Sequence, residues 1–139
     1  MTTDVTTQGI HHLGLTVRDL AMTRAFFVDC LGWKQVGEKP DYPAVFVSDG
    51  TIMFTLWQVQ ASDGGKPFDR KTNVGLHHVA LRVNGESAFR DTYERVSKWP
   101  GVTVEFAPEK LGAGPIQHMM ITEPGGIRIE FDFDPRVTA

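Results

Sequence analysis

The sequence predicts an α+β fold in which two tandem βαβββ modules form a curved mixed sheet around a central cavity. Three observations predict it. The stretch "IHHLGLTV", residues 10–17, returns as "LHHVALRV", residues 76–83. Each copy precedes one amphipathic helical segment, and each helical segment precedes three strand-like runs. We therefore expect one domain over residues 1–139, with module one at about 9–59, a linker at 60–75 and module two at about 76–133.

Module one begins with a strand, because apolar residues alternate in "LGLTV". Asp19 suits the N-cap of a helix over "LAMTRAFFVDCL", and Gly32 is the residue type that often follows a helix end. The stretch 34–38 indicates a short strand. "AVFVSDG" and "TIMFTLWQV" then predict two strands joined by a turn at Asp49 and Gly50.

Module two repeats this order. "LHHVALRV" predicts a strand, and "SAFRDTYERVSKW" predicts a helix that Pro100 and Gly101 end. "VTVEF", "IQHMMIT" and "IRIEFDF" predict three strands, of which the last two are joined through residues 123–126. The stretch 109–116, "EKLGAGPI", is expected to be a connecting loop.

Composition limits the possible partners. The 139 residues are 41% hydrophobic, enough for one core, and 14 basic and 17 acidic residues give a net charge of −3 without a charge run. The charge distribution lacks the clustered positive charge that binds nucleic acids or anionic membranes, and it favours a small-molecule partner. Cys30 is the only cysteine, which excludes an internal disulfide. A polar start and the lack of a membrane-length apolar run predict a cytoplasmic protein.

Strand parity predicts where the histidines point. If the apolar face of each strand packs under a helix, the other face must line the cavity. His12 and His78 then project into the cavity, whereas His11 and His77 lie on the apolar side. Glu130, in the last strand, also faces the cavity.

His12, His78 and Glu130 are the predicted metal ligands. Two imidazoles and one carboxylate with open positions form a set that borderline divalent cations such as Fe, Mn, Ni or Zn accept. Each residue alone could equally be structural or lie at a sheet edge. The repeat-equivalent positions of the two histidines favour the metal interpretation.

Other residues on the cavity faces are candidate catalytic and substrate-binding groups. His118 shares parity with the cavity face and could be an acid/base or a hydrogen-bond donor, or equally a surface histidine. Thr55 is the counterpart of Glu130 in module one. Met53 and Trp57 share the face of Thr55 and could line a substrate pocket, although filling between the modules is somewhat favoured. Arg128 is a candidate substrate contact, and pairing with Asp132 at the rim is the simpler expectation.

"HHLGLTVRDL", "FFVDCLGW", "HHVALRV" and "EPGGIRIEF" together resemble the vicinal-oxygen-chelate superfamily. This superfamily includes glyoxalase I, bleomycin-resistance proteins, fosfomycin-resistance transferases, methylmalonyl-CoA epimerase and extradiol dioxygenases. The resemblance covers residues 9–133. It implies a divalent metal held at His12, His78 and Glu130, and a homodimer whose sites are completed across the interface.

Thr55 departs from the glyoxalase I pattern, which usually has a glutamate or another good donor at this place. A three-ligand centre resembles extradiol dioxygenases instead. Three hypotheses follow: a metal-dependent, dioxygenase-like enzyme on a small oxygenated substrate, which is favoured; a glyoxalase I-type lyase or isomerase; and a metal-free binding protein of the bleomycin-resistance type. In both enzymes the metal would act as a Lewis acid toward neighbouring substrate oxygens.

Overall fold

The structure is a computed structural model that describes residues 2–137. It contains two βαβββ modules, as the duplication predicts. Module one consists of β1 (His12–Val17), α1 (Leu20–Ala25) with a following π-helical turn (Phe26–Cys30), β2 (Lys34–Lys39), β3 (Ala44–Ser48) and β4 (Met53–Gln58). Module two consists of β5 (Val79–Arg82), α2 (Glu86–Lys98), β6 (Thr103–Lys110), β7 (Gln117–Thr122) and β8 (Arg128–Phe133).

Each module has its own four-stranded mixed sheet. The strand orders are β1-β4-β3-β2 and β5-β8-β7-β6, which are equivalent under the repeat. In both sheets the first and last strands of the module pair in parallel, and the other neighbours pair antiparallel. The predicted α+β class and the predicted modules are confirmed.

The first helix widens into a π-helical turn at the point where it buries two adjacent phenylalanines. Asp19 caps its start, since its Oδ1 accepts a hydrogen bond from the Met22 amide at 3.0 Å. After Ala25 the winding widens, and the Leu31 amide donates to the Phe26 carbonyl, five residues back, at 3.0 Å. Phe26 and Phe27 are both fully buried there.

One hydrophobic core joins the two modules. It contains the helix-covered face of each sheet, represented by Leu15 and Phe54 in module one and by Ile129 and Phe131 in module two. Because successive side chains of a strand point to opposite faces, the other face of each sheet points away from this core. We call these the open faces of module one and module two.

A buried turn of module two holds the start of α1 in module one. Glu123, in the β7–β8 turn, is 1% exposed, and its carboxylate accepts hydrogen bonds from Thr23 Oγ1 at 2.8 Å, Gly125 N at 2.7 Å and Ile127 N at 3.1 Å. The Arg18 amide donates to the Gly125 carbonyl at 3.1 Å. Burial raises the pKa of Glu123 although these donors act in the opposite direction. The junction fixes how the two modules are oriented.

Two local predictions are wrong. His11 and His77 are exposed and precede β1 and β5, so neither packs on the apolar side. Strand β6 continues to Lys110, into the stretch expected to be a loop, because residues Glu109 and Lys110 pair with β7. Residues 60–75 hold turns and bends without a regular helix or strand. No helix within residues 2–137 has the length and apolar character needed to cross a membrane.

Cys30 is expected to be unreactive in the native protein. It is 3% exposed, and burial raises the pKa of its thiol to about 11, although the nearby charge of Arg95 lowers it. At pH ~8 a thiol of that pKa is only about 0.1% thiolate, the form that reacts. A disulfide-exchange reagent should label the thiol promptly in guanidinium chloride but not in buffer. Complete labelling of native protein within minutes would contradict the burial of this residue.

Candidate metal centre

The open face of module two brings together two histidines and two carboxylates. Glu130 and Asp132 alternate on β8, which places both on this face. In the antiparallel pair β7–β8, His118 lies directly opposite Asp132, so it shares the face. His78 immediately precedes β5, the strand that pairs with β8 on its other side.

Glu130 lies between the two imidazoles. Its Oε1 is 3.3 Å from Nε2 of His78, and its Oε2 is 3.3 Å from Nδ1 of His118. The residue is 9% exposed. Burial opposes ionisation, but a hydrogen bond with Asp132 and the charges of His118 and His78 hold the pKa of Glu130 below its usual value. The carboxylate is therefore ionised and presents one oxygen to each ring.

Asp132 was not predicted as a site residue. Its Oδ1 is inaccessible to solvent and has no hydrogen-bond partner among residues 2–137. Burial, a hydrogen bond with Glu130 and the charge of Glu130 raise the pKa of Asp132 to about 7. The expected pairing with Arg128 is wrong, since that guanidinium donates to both oxygens of Glu105 at 2.8 and 3.1 Å. Two adjacent carboxyl groups are thus left to share a proton or a cation.

The His118 ring contacts two residues of β6. Its ring lies 4.7 Å from the ring of Phe106, centroid to centroid, and its Nε2 is 3.7 Å from Oε1 of Glu109 on β6. These contacts leave Nδ1 facing Glu130. Glu109 was not predicted as a site residue either, although it lies opposite His118 in the β6–β7 register.

The open face of module one carries the remaining predicted site residues. His12 is exposed, and its Nδ1 lies 2.9 Å from Nδ1 of His11. Met53 pairs with His12 in the β1–β4 register. Thr55 is 5% exposed, and its Oγ1 accepts a hydrogen bond from Nε1 of Trp57 at 2.9 Å.

Aromatic side chains dominate the area around Trp57. The ring of Tyr42 meets it edge-on at a centroid distance of 4.9 Å, and Phe46 lies at 6.2 Å. These rings give the open face of module one an apolar surface with polar edges, in contrast to the charged open face of module two.

Within residues 2–137, the chain brings His78, His118 and Glu130 together but does not bring His12 to them. The group of potential ligand atoms that lie within 4.8 Å of one another comprises His118, Glu130 and Asp132. Each open face lies on the side of its own sheet opposite the shared core.

The donors on the open face of module two fit a divalent cation. Imidazole nitrogens and carboxylate oxygens are the ligands that borderline cations accept, and the buried Oδ1 of Asp132 has no donor within the described chain to satisfy it. A cation here would offset the repulsion between the carboxyl groups of Glu130 and Asp132.

The duplicated βαβββ fold, with its His and carboxylate cluster on one open face, is of the α+β class built from two repeated modules. The chain belongs to the glyoxalase/bleomycin resistance protein/dioxygenase superfamily, whose sequence profile matches residues 9–131. Members of this superfamily commonly use a divalent metal and bind small molecules. No curated protein sequence matches the chain significantly.

Solved structures share the fold over nearly the whole chain. A glyoxylase/bleomycin resistance protein/dioxygenase domain from Frankia sp. EAN1pec is 24% identical, with a TM-score of 0.77, over 93% of this chain and 99% of that chain. Lactoylglutathione lyase from Agrobacterium tumefaciens is 23% identical, with a TM-score of 0.68, over 93% and 96%. A fosfomycin resistance protein from Listeria monocytogenes is 17% identical, with a TM-score of 0.69, over 91% and 93%. At these identities the likeness shows the fold alone.

Proposed function

We propose that the chain is a divalent-metal-dependent enzyme that chelates two neighbouring oxygens of a small oxygenated substrate, in a dioxygenase-like reaction. The ligands are His12, His78 and Glu130. The observation that carries the proposal is the approach of Nε2 of His78 to Oε1 of the buried Glu130 at 3.3 Å, beside the half-buried carboxyl group of Asp132. A divalent cation bound between these donors would neutralise the negative charge of the carboxyl groups, which otherwise only protons neutralise.

The third ligand is supplied by a second copy of the chain. Within the described residues, the potential ligand atoms that lie within 4.8 Å of one another do not include those of His12, so we assign this ligand to a second copy of the chain. A homodimer in which module one of each copy covers module two of the other would give two equivalent sites. Closed twofold symmetry is the commonest arrangement of such self-complementary surfaces.

Three ligands leave coordination positions for the substrate. A threonine hydroxyl is a poor ligand for a transition metal, and Oγ1 of Thr55 is already engaged by the indole of Trp57. This favours a dioxygenase-like centre over a lyase with four protein donors. The bound cation would supply Lewis acidity that stabilises negative charge on the substrate oxygens.

The remaining site residues position substrate and protons. His118 is the proposed acid/base, because Nδ1 lies at hydrogen-bonding distance from Glu130 and its ring packs against Phe106. Trp57 and Met53 would contact the apolar part of the substrate. Arg128 would line the edge of the site, with its guanidinium held by Glu105.

A metal-free binding protein is the second candidate. The contacts of Glu130 with His78 and His118 can pair the charges without a cation when the imidazoles are protonated. The aromatic surface around Trp57 suits a flat or apolar ligand. Less than about a tenth of an equivalent of metal after reconstitution would favour this candidate over either enzyme.

Metal binding tests the proposed centre. Reconstituted protein should retain metal. His78→Ala should weaken metal binding at this centre by more than about 100-fold, because removing a residue that binds the metal directly lowers the affinity more than removing a residue that only contacts a ligand. Asp134→Asn is the control, since its carboxylate pairs with Arg136 outside the centre. Elemental analysis after dialysis measures both. Unchanged occupancy in His78→Ala would exclude this ligand assignment.

Substrate assays distinguish the reaction classes. Oxygen uptake with catechols and Fe(II) would support the dioxygenase-like reaction. Turnover of a hemithioacetal with Ni(II) or Zn(II), without oxygen uptake, would instead identify a glyoxalase I-type lyase.

A further inference from the structure

We propose that His118, Glu130 and Asp132 form a second divalent-cation site on module two, next to the centre of His12 and His78 and bridged to it by the Glu130 carboxylate. The inference goes beyond the proposed function, because it requires neither His12 nor a second copy of the chain. Its three ligand atoms already lie within 4.8 Å of one another in a single chain.

The two oxygens of Glu130 are directed to different partners. Oε1 faces His78, and Oε2 faces His118, each at 3.3 Å. A carboxylate with its oxygens directed in this way can donate one oxygen to each of two cations, as bridging carboxylates do in two-metal sites. Glu130 can therefore serve the second site without leaving the first.

Asp132 supplies an oxygen that the rest of the described chain leaves unused. Oδ1 is shielded from solvent and has no hydrogen-bond donor within residues 2–137. An unsatisfied buried polar atom is costly, by about 1–3 kcal/mol, and without a cation the described residues offer only a proton shared with Glu130 as compensation. A cation bound by Oδ1 and by Oε2 of Glu130 would provide that compensation.

His118 has the surroundings of a metal-ligating histidine. Metal-bound imidazoles usually direct the second ring nitrogen to a carboxylate, which fixes the ring and raises its basicity. Nε2 of His118 faces Oε1 of Glu109 at 3.7 Å, and Phe106 packs against the ring, while Nδ1 is directed into the cluster. The ligand and its packing residue are thus in place, and the outer carboxylate lies just beyond hydrogen-bonding distance.

Occupation of the second site would change the role of His118. An imidazole whose Nδ1 holds a cation cannot transfer a proton at that atom. The proton-transfer role and the second cation are therefore mutually exclusive, and the state of the site depends on the free metal concentration.

Equilibrium dialysis against Co(II), followed by elemental analysis, tests the second site. We expect wild-type protein to bind about two equivalents per chain, and His12→Ala to retain about one. Asp132→Asn and His118→Ala should each lose about one equivalent, and His12→Ala combined with Asp132→Asn should bind none. Asp134→Asn is the matched control, since Asp134 pairs with Arg136 outside the cluster. Circular dichroism checks that each variant is folded.

The outcomes separate this inference from the proposed function. If wild type saturates at about one equivalent, which His12→Ala abolishes and Asp132→Asn leaves intact, the second site is wrong and the proposed centre stands. If the single equivalent survives in His12→Ala and disappears in Asp132→Asn, the second site stands and the proposed centre is wrong. Absence of Co(II) from every protein would overturn both.

Discussion

Two variants that each lack a ligand of the proposed centre are expected to restore it when they are mixed. His12→Ala damages module one, and His78→Ala damages module two. In a mixed dimer, one site receives the intact His12 of one chain and the intact His78 of the other, while the second site lacks both. Random pairing gives half mixed dimers, so about a quarter of the wild-type centres should return.

The mixing experiment requires a background without the second site. Both variants therefore carry Asp132→Asn, are denatured and refolded together, and are analysed for bound metal after dialysis. His78→Ala mixed with Glu130→Gln is the control, because both changes lie on module two and leave every site incomplete. Equal metal content in mixed and unmixed samples, with mixed dimers demonstrated by two affinity tags, would show that the site does not form across the interface.

Gly125→Ala is expected to cause the largest loss of stability, of about 3 kcal/mol or more. A Cβ at this position would overlap the hydroxyl of Thr23, lie 2.8 Å from Oε1 of Glu123 and lie 3.2 Å from Cβ of Val17. All three neighbours are buried, and the Thr23 hydroxyl is hydrogen-bonded to the Glu123 carboxylate, so none can move freely away. The added methyl group would disrupt the hydrogen bonds that Glu123 accepts.

Thermal unfolding monitored by circular dichroism measures this effect, and Tm should fall by roughly 10 °C. Gly114→Ala is the matched control, because its Cβ would meet only the Leu111 carbonyl, at 4.0 Å. Adding Thr23→Ala to Gly125→Ala should recover part of the loss, since it removes the overlapping hydroxyl. A Tm within about 2 °C of wild type in Gly125→Ala would contradict the tight junction.

Strand parity could be predicted from the sequence because it is a local property. A side-chain period of two places Glu130 and His118 on the face opposite the core, whatever the rest of the chain does. The relation between the open faces is not local. It depends on how the covered sheets share one core and on the buried contact between Thr23 and Glu123, which are 100 residues apart. Strand parity alone therefore cannot predict whether His12 approaches Glu130 of its own chain.

The distance along β8 explains why Asp132 does not pair with Arg128, its expected partner. Arg128 and Asp132 are separated by four residues of β8, and a strand rises ~3.3 Å per residue, so their Cα atoms are about 13 Å apart. Pairing instead follows the neighbouring strands, where His118 faces Asp132. The partner Glu105 lies on β6, where register shifts prevent simple counting along the strand.

The division of each sheet into a core face and an open face also bears on how such a scaffold can diversify. The residues that would meet a ligand, such as His12, Trp57 and His118, project from the sides of the sheets that the common interior does not use. Exchanging them would alter which molecule is recognised with little penalty to folding. Substitutions in the core would instead destabilise the fold and leave the ligand contacts unchanged. New specificities can therefore arise on this framework by single substitutions on the open faces.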